Sequence, residues 1–84
     1  MTRLEAVQNA LGAMLNAELM NIGTIRCISV YTHHVDLSIH FEYGDSYKYV
    51  HIKQLKTYLL KDATLRMTCD AKGGYSVLHI EWDL

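Results

Sequence analysis

A change of hydrophobic period at Gly23–Thr24 constrains this chain more than any other feature of its sequence. Before it, Leu4, Val7, Leu11, Met14, Leu15 and Leu19 recur at helical spacing and make one apolar stripe. After it, IRCISVYT and VDLSIHFEY alternate apolar and polar residues, the pattern of strands with one buried face. A chain that switches from a period of 3.6 to a period of 2 packs helix against sheet, so the class is α+β.

The local signals divide the chain further. Thr2 and Glu5 form a T-x-x-E capping box at the start of the first helix. Ala6, Ala10, Ala13 and Ala17 form a flank of small residues where a sheet or second helix can come close, and Gly23 is the expected stop. With His33-His34 as a turn, Val30 faces Leu37, Ile28 faces Ile39 and Arg26 faces Phe41. A second turn at Gly44-Asp45 sets Val50 opposite Ile39 and Ile52 opposite Leu37, on the same face. KQLKTYLLKDA then reads as a short helix with Leu55, Tyr58 and Leu59 inward. Gly73-Gly74 suits a tight hairpin turn that sets Cys69 against Leu78, Met67 against Ile80, Leu65 against Trp82, and Arg66 against Glu81 on the other face. The expected order is α-β-β-β-α-β-β: one compact domain over 1–84, with an antiparallel sheet of about five strands and two helices packed on one face.

Composition narrows the function. Nine acidic residues stand against eight basic ones, so the basic excess of a typical nucleic-acid binder is missing. No apolar run reaches the roughly 18–20 residues that span a bilayer. The N-terminal stretch is amphipathic and carries Glu5, unlike a signal peptide. Cys27 and Cys69 lie in different elements and form no CxxC, which suits free thiols in a reducing compartment. The expected location is the cytoplasm.

The order α-β-β-β-α-β-β resembles that of the dimeric chaperones of bacterial type III secretion, which are longer, acidic, and end in another helix. In size and style the chain is similar to small phage-encoded inhibitors of host defence, anti-CRISPR proteins among them, and to immunity proteins. Its leading α-β-β-β-α resembles a double-stranded-RNA-binding domain, but two further strands follow and the helix N-terminus is not basic. The first two likenesses imply a protein that works by binding another protein.

The expected face away from the helices carries Tyr31, Tyr47, Tyr49, His40 and His51, with Asp36 and Glu42 at the rim and Ile25 and Cys27 alongside. Tyrosine offers large contact area, a polar tip and little entropy loss, which suits a binding patch. The reading is a protein-interaction module, an inhibitor or adaptor that occludes a partner protein, with homodimer formation open. One alternative is single-stranded RNA binding, with bases on the sheet tyrosines and phosphates on Lys48, Lys53, Lys56, Lys61 and Arg26. A second is a small enzyme or metal site around Cys27 and His40, with Glu42 one step away. No catalytic set, resident metal or cofactor is expected, and nucleic acid and membrane are disfavoured as partners.

Overall fold

The computed structural model describes residues 1–42, 49–70 and 72–84. Helix α1 (Arg3–Asn16) opens on the expected box: Thr2 Oγ1 accepts the Glu5 N–H and Glu5 Oε1 accepts the Thr2 N–H, both at 3.1 Å. The Thr2 backbone N–H chiefly, with the Thr2 hydroxyl, holds the Glu5 carboxyl below its usual range. A 3-10 turn (Leu19–Asn21) leads to β1 (Thr24–Val30) and β2 (His34–Glu42). Helix α2 (Tyr49–Tyr58) and the hairpin β3 (Thr64–Asp70) and β4 (Tyr75–Asp83) complete the described elements. The four strands form one antiparallel sheet in the order β1-β2-β4-β3.

The fold is therefore α+β as expected, with four strands among the described residues rather than about five. The third expected strand is the first turn of α2. Four residues of alternation around Val50 and Ile52 cannot be told from a helix by period alone. Ile52, Leu55 and Leu59 repeat at helical spacing, Leu55 is fully buried, and β4 takes the position beside β2. The expected turn at Gly44-Asp45 lies outside the described residues. Tyr58, expected inward, is exposed.

The core lies between the helices and the inner sheet face, where Val35, Leu37, Ile39 and Phe41 of β2 meet Leu78, Ile80 and Trp82 of β4. Onto this face α1 turns its small side: Ala6, Ala10, Ala13, Met14 and Ala17 are buried. The leucine stripe is displaced outward, with Val7 and Leu11 half-buried and Leu4 and Leu15 exposed. Alanine lets the helix backbone settle closer to the sheet than leucine would, and the large side chains of the strands fill the space. Gly23 acts through the same closeness. The helix has already ended at Asn16, with Glu18 in the left-handed region at φ 61. A Cβ on Gly23 would lie 2.6 Å from Phe41 and 2.7 Å from Ile39.

Both hairpins turn one residue earlier than expected. Tyr31 N–H donates to the His34 carbonyl at 2.8 Å, so Thr32-His33 form the tip and Val30 faces Val35. In the second, Asp70 faces Tyr75 and Cys69 faces Ser76, with Gly74 at φ 70 in the connection. Each change moves the register by two residues, and an even shift leaves every side chain on its expected face. One departure does change face. A bulge at Arg26 turns Ile25 inward against Ile39.

Two side-chain clamps join the helices. Asn9 Nδ2 donates to the Tyr58 carbonyl at 3.1 Å while its Oδ1 accepts the Leu60 N–H at 2.9 Å. His51 Nδ1 donates to the Ala17 carbonyl at 3.2 Å, where α1 ends. Among the described residues no helix is long and apolar enough to cross a membrane.

Candidate functional site

Two surfaces stand out, one on each side of the sheet. The outer face of β2 and β4 is a lattice of imidazoles and carboxylates. Register sets His34 beside Asp83, Asp36 beside Glu81 and Ser38 beside His79. His34 Nδ1 lies 2.8 Å from Asp83 Oδ1, and its Nε2 lies 3.6 Å from Glu81 Oε1. His79 Nδ1 reaches both oxygens of Asp36 at 3.2 Å. Arg66 on β3 spans the carboxylate of Glu81 with two nitrogens at 3.4 Å. The hydrogen bond to Asp83 chiefly raises the His34 pKa above its ordinary value, against desolvation and with help from the charges of Asp83, Glu81 and Asp36.

Further along β2, His40 Nε2 meets Glu42 Oε1 at 2.7 Å, and the His40 ring stacks on Tyr75 at 4.7 Å. Val77 is buried although it sits on this face, between His40 and Thr68.

The second surface is apolar. Where β1 forms one edge of the sheet, α1 does not reach over it, so Ile28 and Val30 on the inner face are 41% and 47% exposed. Thr2, Arg3, Leu4, Val7 and Val30 line an open groove between the helix and this strand. Leu4 at 66% and Leu15 at 64% exposure extend the apolar surface along α1, and Tyr31 stands at its hairpin end. Among the described residues no strand lies beyond β1, and this edge runs beside the groove.

Tyr31, His40 and His51 of the expected patch do not share one strand-borne face. Asp36, His40 and Glu42 share the outer face as anticipated. Tyr31 sits at the hairpin, its ring 6.1 Å from that of His34. His51 belongs to α2 and serves the end of α1, so its placement on the sheet is corrected. Tyr49 opens α2 rather than extending a strand, and Tyr47 lies outside the described residues. The Cys27–His40 pairing is also corrected: Cys27 stands opposite Ser38, with Sγ 3.3 Å from Ser29 Oγ, while His40 stands opposite Thr24. Cys27 and Cys69 are free thiols on the two edge strands.

No family model, curated protein or solved structure matches this chain.

The residues of this site that sequence reasoning missed are His34, His79, Glu81, Asp83 and Tyr75. Alternation places each on an outward position, but only the pairing of β2 with β4 makes them neighbours. His34 was expected in the turn and is instead the first residue of β2. Chemically, the lattice can hold protons or a cation, because each imidazole faces a carboxylate. The β1–α1 surface offers chiefly apolar area and main-chain hydrogen bonds, with Thr2 and Arg3 at one end of its groove.

Proposed function

We propose that this protein is an interaction module, a small cytoplasmic inhibitor or adaptor that binds another protein and occludes part of its surface. The observation that carries this reading is the apolar surface left open where β1 meets α1, alongside a strand edge that no other described strand pairs with. An extended segment of a partner adding to β1 gains main-chain hydrogen bonds from the edge. It also gains pockets for alternate side chains over Ile28, Val30 and Leu4. Natural edge strands are commonly blunted by charge, proline or coverage. Here Arg26 supplies charge at one end only, and the far half carries Ile28, Val30 and Tyr31.

This moves the docking surface from the expected sheet tyrosines to the other side of the sheet. Small size and balanced charge fit an inhibitor of the phage anti-defence type, anti-CRISPR proteins included, which is the finer form of the proposal. The RNA alternative loses support from the outer face, where Asp36, Glu42, Glu81 and Asp83 set negative charge where bases would stack. The enzyme alternative loses its Cys27–His40 pair to the register.

The test is affinity capture from host and target-cell extracts with the wild type and with Val30→Lys, after both are shown to melt alike. A protein retained by the wild type and lost with V30K supports the reading. Capture unaffected by V30K, or steeply salt-dependent RNA binding in its place, overturns it.

A further inference from the structure

We propose that the outer face of the sheet binds one divalent transition-metal ion of the Zn2+ class through His34, Asp36 and Glu81. One ring nitrogen of His34 and one oxygen from each carboxylate lie within 4.8 Å of one another among the described residues. The histidine, rather than the acids, makes this arrangement a site. Asp83 can only accept a hydrogen bond at neutral pH, so at 2.8 Å it holds the His34 proton on Nδ1. The lone pair of Nε2 is thereby turned toward Glu81 Oε1, itself only an acceptor, 3.6 Å away. Arg66 Nη2 donates to the same oxygen at 3.4 Å, and between Nε2 and Oε1 either a second imidazole proton or a metal ion can be shared. Bonds of about 2.0–2.1 Å in a tetrahedral zinc site separate neighbouring ligand atoms by roughly 3.3 Å, so this gap is close to the span that an ion fills.

Each ligand also has an outer partner that fixes its orientation. Asp83 holds His34, His79 donates to Asp36, and Arg66 braces Glu81. Such a carboxylate–histidine–metal relay is a regular accompaniment of metal-binding histidines. The local charge agrees: three carboxylates, Asp36, Glu81 and Asp83, face the single guanidinium of Arg66 when the imidazoles are neutral. A doubly charged ion brings that group to neutrality. The ligands rise from two paired strands at the centre of the sheet, so little backbone movement is needed to close them. A histidine with two carboxylates leaves coordination positions open to water or to a further ligand. This site lies across the sheet from the docking surface and does not depend on it.

The experiment is calorimetric titration of chelator-stripped protein with Zn2+ at pH 7.5, in a Cys27→Ser/Cys69→Ser background that removes thiol ligands. One ion per chain is expected. His34→Ala and Asp36→Asn should each weaken binding at least tenfold, and Asp83→Asn by about 10–100-fold because the His34 ring loses the carboxylate that orients it. His40→Ala, on the same face but outside the cluster, should leave it unchanged. Zn2+ should raise the melting temperature of the background protein and not that of H34A. Co2+ should give a visible absorption band that H34A lacks. Binding weaker than about 1 mM, several ions per chain, or affinity that survives H34A would overturn the proposal.

Discussion

Ile28 and Leu37 face each other across β1 and β2, on the same side of the sheet, yet Leu37 is fully buried and Ile28 is 41% exposed. Val30 and Val35 repeat the contrast one pair along, at 47% and 0%. The two strands have the same apolar pattern, so pattern does not decide the difference. Coverage does. Helix α1 puts its alanines into the core with the inner residues of β2 and β4, and Ile28 and Val30 of β1 are left partly open. One apolar strand face thus becomes core and its neighbour becomes surface, which is why the proposed docking surface lies at the edge rather than at the sheet centre.

Mutations at paired positions can break this comparison. Leu37→Ala should cost about 2–5 kcal/mol in denaturant unfolding, the range for truncating a fully buried leucine. Gly23→Ala should come next, at about 1–3 kcal/mol, because its methyl would press on Phe41 and Ile39. A smaller loss would show that the lead into β1 yields more readily than the core beneath it. Asn9→Ala removes both bonds that pin the end of α2 to α1 and should cost about 1 kcal/mol. Ile28→Ala should cost less than about 1 kcal/mol while weakening partner binding, the reverse of Leu37→Ala. Equal losses of stability at Ile28 and Leu37 would end the distinction between edge and core.

The smallest effect concerns His34, where β2 begins. Its folded pKa lies above the ordinary 6.5, chiefly because of Asp83. The stabilisation from holding that proton is fully present below about pH 6.5 and is lost as pH rises through the folded value. With a chelator present, the wild type should therefore lose stability relative to His34→Gln across that window in urea unfolding. Parallel pH profiles would show that the Asp83 contact holds no proton.

The sequence by itself determined the α+β class, the capped first helix, both hairpins and, away from the bulge at Arg26, the face each strand residue occupies. Local rules settle these: the capping box is complete within four residues, and alternation assigns faces even when a turn moves by one residue and the register by two. Even the pairing of His40 with Glu42, two residues along one strand, is visible without a fold. Only the tertiary structure decided the rest. The stretch from Tyr49 to Ile52 suits strand or helix, and the docking of β4 against β2 selected helix by filling the neighbouring position. That docking also joined His34 and Asp36 to His79, Glu81 and Asp83, residues more than forty positions apart. The same is true of α1, whose alanines rather than leucines face the sheet. Helical period marks an apolar side, but how closely two backbones approach depends on the volume of what fills the space between them, and that volume belongs to other elements.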